Sequence, residues 1–308
     1  MQSLPKITIV TVCLNSSAYI EDCIKSVIEQ AYPNLEYIIA DGGSTDGTLA
    51  IIEKYQSHFA KIITGPDGGP ANALNNAFAY SSGEIMGWLN SDDKLHSQSL
   101  FAMAEIFNSV QAAEWIMGYP SWLTPDGNFV DEIYYKSNRF YYSPSYISNN
   151  FHLKFARWSK WRFAMGDFSA IQQESVFWRR SLWERAGGRL NENTIAYDLE
   201  LWTRFFEYTE LYTTNVLLGG FRIHGKQLSI IHEQKYYTES EALITLFKRR
   251  QLKNSLLCKL KLSLARITKV FYYYNIPLLS RIYIKLLKLP AYLVFDLKKR
   301  KFEINDEM

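Results

Sequence analysis

EIMGWLNSDD, residues 84–93, decides how the rest of this chain is read. The apolar run 85–89 has the length and composition of a strand buried on both faces. It stops abruptly at Asn90, Ser91, Asp92 and Asp93. Adjacent carboxylates at a strand end repel each other, and each costs desolvation when buried without a partner. A cation against the pair offsets both costs. Ligands of open α/β sheets bind beyond the carboxyl ends of the strands. The stretch therefore reads as an oxygen-ligand metal site at a sheet edge. Taken alone, it reads first as a solvated turn capping the next helix, and the rest of the chain reverses that order.

Outward from it, strand and helix signals alternate. KITIVTVCL (6–14) is a β-branched run. Asn15, Ser16 and Ser17 offer N-caps, and Ile20, Cys23, Ile24, Val27 and Ile28 fall on one helical face. Further strands are predicted at 35–40, 61–64 and 84–89. Between them, helices run through Leu49, Ile52, Tyr55 and Phe59, and through Ala73, Leu74, Ala77 and Phe78. Such alternation with short loops predicts a mostly parallel sheet flanked by helices, with right-handed crossovers. After residue 112 the pattern changes. Segments 115–122 and 128–135 are β-rich and joined by Thr124-Pro125-Asp126-Gly127, a hairpin-like turn. Residues 136–171 are irregular, a length that is usually functional or mobile in a compact domain. A strand at 175–178, a helix at 181–186 stopped by Gly187-Gly188, and a helix at 198–208 follow. From 236 onward the pattern is helical and basic, and no internal repeat occurs.

With 47% hydrophobic and 21% charged residues in 308, the chain is globular, with room for one large domain plus an appendage. Its three cysteines, Cys13, Cys23 and Cys258, lack metal-ligand spacing and point to a reduced, cytoplasmic compartment. MQSLPK leads straight into a strand, and no signal peptide is expected. The net charge of +3 hides an asymmetry: residues 236–308 carry 15 Lys and Arg against 6 Asp and Glu, the remainder 19 against 25.

Acidic or polar clusters fall at four predicted strand ends: Asn15, Asp41, Asp67, and Asn90 to Asp93. No G-x-G-x-x-G follows the first strand and no G-x-x-x-x-G-K-[ST] occurs, which disfavours a dinucleotide site and a P-loop. Carboxylates at strand ends suit the N–H and O–H donors of a base and ribose, with a metal for the phosphates.

TVCLN (11–15), DGGSTDGT (41–48), GPDGGPANALNNAF (65–78) and GEIMGWLNSDD (83–93) resemble the nucleotide-binding half of family 2 glycosyltransferases with the GT-A fold. IQQESVFWRRSLWERAGG (171–188), YDLELWTRF (197–205) and FRIHGKQLS (221–229) resemble the second half of that family. The resemblance implies one GT-A domain over residues 1–235. Its nucleotide-binding half would be 1–112 and its acceptor half 113–235, with a basic helical region at 236–308. It implies that Asp41 accepts the imide N–H of uracil or thymine. Thr11, Asn15, Asp67 and Asp92 would complete the nucleotide site. Asp93, with Asp92 and His224, would hold Mg²⁺ or Mn²⁺ against the diphosphate, and Arg222 would pair with phosphate. Asn90 stands where the family often has an aspartate. Gln173, Glu174 and Trp88 would line the sugar pocket. Asp198 sits where the family carries the general base of inverting transfer, with Glu200 as its backup.

The implied reaction moves a sugar from a UDP- or dTDP-sugar to a carbohydrate or lipid-linked acceptor with inversion. Rival readings are a nucleotidyltransferase, disfavoured by SerSer at 16–17, and an inactive sugar-binding scaffold, disfavoured by the presence of Asp93 and Asp198. In the tail, lysines and arginines interrupt every apolar run, so no span reaches the ~20 residues needed to cross a bilayer. A basic segment with aromatics fits contact in the membrane plane at the inner face, or helices packed on the domain. No nucleic-acid recognition motif accompanies the charge.

Overall fold

The structure is a computed structural model. It describes residues 4–130, 159–164, 171–251, 260, 263–265, 267, 277–288, 292–296, 298–299 and 301–305. Most of the irregular stretch read at 136–171, and much of the basic tail, lie outside the described residues.

The strands are β1 (Ile7–Cys13), β2 (Leu35–Asp41), β3 (Lys61–Thr64), β4 (Ile85–Asn90), β5 (Lys94–Leu95), β6 (Trp115–Tyr119), β7 (Trp122–Leu123), β8 (Val176–Arg179), β9 (Tyr212–Leu217), β10 (Gly219–Arg222), β11 (Tyr292–Asp296) and β12 (Lys301–Asn305). The helices are α1 (Ile20–Ile28), α2 (Thr48–Lys54), α3 (Pro70–Phe78), α4 (Ser99–Ser109), α5 (Lys160–Phe163), α6 (Arg180–Arg185), α7 (Tyr197–Tyr208), α8 (Leu228–Ile231), α9 (Glu233–Gln251) and α10 (Pro277–Leu287).

Nine strands form one sheet in the order β12-β11-β9-β6-β8-β4-β1-β2-β3. The pairs β4–β1, β1–β2, β2–β3, β6–β9 and β9–β11 are parallel. Strand β8 runs antiparallel between β4 and β6. The mostly parallel sheet expected from the alternation is therefore present. Strand β1 is buried at all seven positions because helices cover both faces of the sheet. One face carries Ile20, Cys23, Ile24 and Val27 of α1, with Met103 and Phe107 of α4. The other carries α3, α7 and α9 around four indoles in stacked, tilted and edge-on contact, Trp88, Trp115, Trp178 and Trp202.

Two expectations need correction. The β-rich run 115–122 is two strands, because Pro120 has no N–H to continue the ladder. Beyond it, β7 pairs with β10 in a smaller sheet, β5-β10-β7. The tail is also not wholly helical. Strand β11 pairs parallel with β9 through Tyr292 and Leu293, and β12 returns antiparallel. Leu293 and Phe302 are buried in the core, with β12 packed on α4, while Phe295 and Ile304 are exposed. The hairpin covers the edge that β9 would otherwise expose.

Candidate functional site

The C-terminal ends of β1, β2 and β4 lie side by side, as parallel pairing requires: Cys13 pairs with Asp41, and Val12 with Asn90. Loops from these ends meet over one edge. Asn15 takes a left-handed φ of 50°, and its Oδ1 accepts from the Thr45 amide at 2.9 Å. The amides of Asn15, Ser16 and Ser17 donate to Ser44 Oγ, Thr48 Oγ1 and Asp46 Oδ2. With those N–H groups spent, the loop after β1 offers no phosphate nest.

Asp41 is buried, and donors surround it. Oδ1 accepts from the amides of Gly43 and Ser44 at 3.0 and 2.7 Å. Oδ2 accepts from Ser44 Oγ at 2.5 Å and Cys13 Sγ at 3.4 Å. A carboxylate offers about four lone-pair sites, and all are used. In this structure Asp41 anchors its own loop. Asp67 behaves differently. Its Oδ1 accepts from the Gly69 amide at 2.8 Å, whereas Oδ2 has no partner among the described residues. That oxygen hangs over Gly42, where an added Cβ would lie 2.8 Å from it. Glycine at 42 is what admits the carboxylate.

At the end of β4, Asp93 is 1% exposed. Its Oδ1 accepts from the Arg222 amide at 2.9 Å, and Oδ2 from Asn90 Nδ2 at 3.4 Å. Asn90 thus donates to Asp93, which a carboxylate at that position could not do. Asp92 Oδ2 lies 3.0 Å from His224 Nε2. His224 Nδ1 accepts from the Lys226 amide, so this network places the imidazole proton on Nε2, facing Asp92. The ring stacks on Tyr19 at 4.6 Å.

Across from this pair lie Glu174, in the turn before β8, and Asp198, in the first turn of α7. A Cβ at Gly219 would collide with the Glu174 carbonyl, so β10 packs directly on that turn. Burial, then the charges of Asp92 and Glu174, push the Asp93 carboxyl well above its usual range. Burial pushes Glu174 up to about 8, with Asp92 and Asp198 adding to the rise. Glu174 Oε1 has no hydrogen-bond partner among the described residues. Asp198 is pushed up to about 6 by burial, opposed by the amides of Leu199 and Asp198 and by the Tyr236 hydroxyl. The helix begins at Tyr197 with Ala196 flanking it, so Asp198 lies inside the first turn and does not serve as the N-cap. Glu200, the backup base, points elsewhere, since both its oxygens bind Arg204.

Four more expected residues have their side chains engaged within the protein. Thr11 lies in the core, its hydroxyl 3.0 Å from Tyr37 Oη. Trp88 is 2% exposed among the indoles, away from solvent. Gln173 donates to the Trp88 carbonyl at 2.6 Å and accepts from Asn90 at 3.1 Å, which spends its amide on the end of β4. Arg222 is 2% exposed and binds the Asp92 and Pro125 carbonyls and Asp22 Oδ2 at 2.6, 2.8 and 2.6 Å. It clamps the acidic turn to β7 and α1, which leaves no fork for phosphate. Sequence reasoning missed Asp22, Tyr19 and Tyr236. The first two meet their partners about 200 residues away, beyond any local signal, whereas Tyr236 begins a readable helical period.

Among the described residues, no three His, Cys, Asp or Glu side chains gather tightly enough to cage a metal by themselves. Mg²⁺ is usually held by one or two carboxylates plus substrate phosphates and waters. The acidic turn, with one buried orphaned carboxylate oxygen beside it, fits that kind of shared site.

The sequence profile described as glycosyl transferase family 2 matches residues 8–178. A putative teichuronic acid biosynthesis glycosyltransferase, TuaG of Bacillus subtilis, is 33% identical over 131 residues, covering 42% of this chain and 52% of that protein. The chain thus spans about half the length of that relative. In fold, it resembles S. aureus TarS 1–349 in complex with UDP-GlcNAc (TM-score 0.55, 15% identity, 98% and 97% covered). It also resembles a mannosyltransferase from Pyrobaculum calidifontis in complex with GDP-Man and Mn²⁺ (TM-score 0.53, 15% identity, 92% and 86% covered). These neighbours have the GT-A fold expected from the motifs. On the profile match over more than half its length, the chain belongs to glycosyl transferase family 2.

Proposed function

We propose that this protein transfers a sugar from a nucleoside diphosphate donor to a hydroxyl acceptor with inversion, and that Asp198 is the general base. The observation that carries this reading is the contrast across the site edge. One side holds a fixed acidic turn, Asp92 and Asp93. The other holds Asp198, a carboxylate raised to about 6 and so ionised and still basic near neutral pH. As the acceptor oxygen bonds to the anomeric carbon, its proton passes to Asp198, and the bond to the diphosphate breaks with its electron pair leaving on phosphate. Asp92 and Asp93 would hold Mg²⁺ or Mn²⁺, with His224 orienting Asp92. Such an ion would supply charge neutralisation on the departing diphosphate. Glu174, protonated at neutral pH, can donate a hydrogen bond to the donor sugar.

The donor nucleotide in this reading is a uridine or thymidine diphosphate. The free Asp67 Oδ2 above Gly42 is the acceptor for the imide N–H, in place of Asp41. The neighbours bind UDP-GlcNAc in one case and GDP-Man in the other, so the fold alone does not choose the base. A glycan or lipid-linked acceptor follows from the family and from the relative's role in teichuronic acid biosynthesis.

The test is turnover of a panel of UDP- and dTDP-sugars with Mn²⁺, with water or candidate glycans as acceptors. Turnover should vanish in EDTA, return with Mn²⁺, and fail in Asp93→Ala at every Mn²⁺ concentration. Undiminished rates in EDTA would remove the metal from this reading.

A further inference from the structure

Tyr19 flanks the start of α1 and Asp22 lies in its first turn. Three residues apart, they are neighbours on one side of the chain, and both meet Arg222. The guanidinium lies over the Tyr19 ring, 5.2 Å from its centre, and Nη2 donates to Asp22 Oδ2 at 2.6 Å. The same ring stacks on His224, with centres 4.6 Å apart and planes at 30°. Each of these two partners then binds the acidic turn. His224 Nε2 lies 3.0 Å from Asp92 Oδ2. Arg222 Nε donates to the Asp92 carbonyl at 2.6 Å, and the Arg222 amide donates to Asp93 Oδ1 at 2.9 Å. One aromatic ring therefore backs both residues that the end of β10 sends to Asp92 and Asp93. Lys94 Nζ holds the other oxygen of Asp22 at 2.9 Å. A Cβ at Gly127 would lie 2.8 Å from Asp22 Oδ2 and 3.0 Å from Arg222 Nη1, so the 124–127 turn closes directly over the ion pair.

We propose that Tyr19 is a positioning residue for the metal: through His224 and Arg222 it holds Asp92 and Asp93 ready for a divalent cation. The inference rests on Asp92 and Asp93 being the metal ligands. Groups behind a ligand orient it and raise its affinity for the ion. An imidazole N–H occupies one lone pair of Asp92 and leaves the others for a cation. It can aim that carboxylate only if the ring itself is held. His224 stands beside Gly225, whose φ of +79° belongs to a turn that few other residues adopt. Stacking on Tyr19 supplies the hold that the turn does not. Arg222 poses the opposite problem, because a buried positive charge beside a cation site repels the cation. Its pairing with Asp22 offsets that charge. The guanidinium can then grip the acidic turn without opposing the ion, and the Tyr19 ring face adds a cation–π contact that keeps it in place.

The experiment measures Mn²⁺ uptake by the full chain at fixed UDP, beyond the uptake by UDP alone, from the loss of the free-ion paramagnetic resonance signal. Tm and the Mn²⁺ dependence of UDP-sugar hydrolysis are read beside it. Tyr19 is half-buried, so Tyr19→Leu removes the ring and spares the core. Mn²⁺ affinity should fall about tenfold. The Mn²⁺ concentration that half-saturates hydrolysis should rise by the same factor, with kcat near the wild-type value once Mn²⁺ saturates. Tyr19→Phe keeps the ring and should bind Mn²⁺ as the wild type does. Phe247→Leu loosens the core where Phe247 meets Phe163 and Phe206. It should lower Tm and leave Mn²⁺ affinity in place. Wild-type affinity in folded Tyr19→Leu overturns the inference, as does an equal loss in Tyr19→Phe or in Phe247→Leu. If Asp93→Ala takes up Mn²⁺ as tightly as the wild type, the metal reading itself fails, and the inference falls with it.

Discussion

Asp41 and Asp198 lie at the same edge of the sheet, and the protein spends them in opposite ways. Asp41 accepts four hydrogen bonds, all from its own loop and the end of β1. Asp198 has amide donors at a helix start and one tyrosine, too little to offset its burial, and its carboxyl rises to about 6. Glu174 goes further, with one oxygen unpartnered and its carboxyl near 8. A buried acid saturated with donors is a scaffold element. A buried acid short of donors is held ready for a proton, a cation or a substrate hydroxyl. The two kinds are indistinguishable as letters in a sequence, and the donor count separates them.

The largest effect that tests this contrast is the pair Asp198→Asn and Asp41→Asn. At 198 the amide is nearly isosteric with the carboxyl, so Tm should hold within a degree or two. It cannot take a proton, and transfer should fall ~10²–10⁴-fold. At 41 the amide turns an NH₂ toward groups that are themselves donors. Stability should fall by about 1–3 kcal/mol, with activity lost only as far as the fold is lost. Thermal melts beside donor turnover read both. A stable but inactive Asp41→Asn would return Asp41 to the nucleotide site.

Asp67 sharpens the same comparison on the donor side. Asp67→Asn can keep its oxygen on the Gly69 amide while placing NH₂ where Oδ2 stands. An NH₂ cannot accept the imide N–H of uracil. Calorimetry should show UDP binding weakened about tenfold or more. Unchanged affinity would mean that the base does not meet Asp67.

Glu174 gives a smaller, pH-dependent effect. The folded chain keeps this proton up to about pH 8, whereas the unfolded chain releases it near the ordinary 4.5. Its contribution to stability is therefore complete below pH 4.5 and declines as pH rises through 8. Glutamine cannot ionise and removes the decline. With divalent metal chelated, Glu174→Gln should melt at the wild-type temperature near pH 5. It should melt higher from pH 7 upward, the gap widening by at most about 1.4 kcal/mol per pH unit. A gap that is constant across pH would show that Glu174 is ionised in the folded chain.

How much of this was legible in the sequence follows from range. Strand ends, the Asp92–Asp93 turn and the α7 start were readable because each is written in a few consecutive residues. The burial of Thr11 and Trp88 is not legible, for a physical reason. A strand covered on both faces shows no alternation, so its sequence does not say which side chains reach the edge. The partners of Arg222 are not legible because Asp22 and Pro125, which take its donors, lie far off along the chain. The tail was read through its summed charge, and that sum hid two patterns. One is the helical period from Tyr236 to Phe247, and the other is the strand pair that buries Leu293 and Phe302.

Those two patterns redraw the expected membrane contact, which carries the smallest effect. No described helix is long and apolar enough to cross a bilayer. The apolar face of α9 is buried in the domain, so it cannot also face lipid. Exposed apolar side chains in the following stretch are Leu260, Leu264 and Ile267, at i, i+4 and i+7, with Ile282 on α10. Lysines and arginines are interspersed through the same stretch. Each basic residue near an anionic surface contributes about 1 kcal/mol, and the contribution fades with salt. Deleting everything from 236 would confuse this test, because it removes Glu239 from the turn before α7 and the apolar face of α9 from the core. Point changes avoid that. Leu260→Glu with Ile267→Glu should leave UDP-sugar turnover in solution unchanged and reduce co-sedimentation with phosphatidylglycerol vesicles at low salt severalfold. Wild-type binding that survives both substitutions would place any membrane contact elsewhere on the chain. A loss of solution turnover would show instead that this stretch, like α9, packs on the domain.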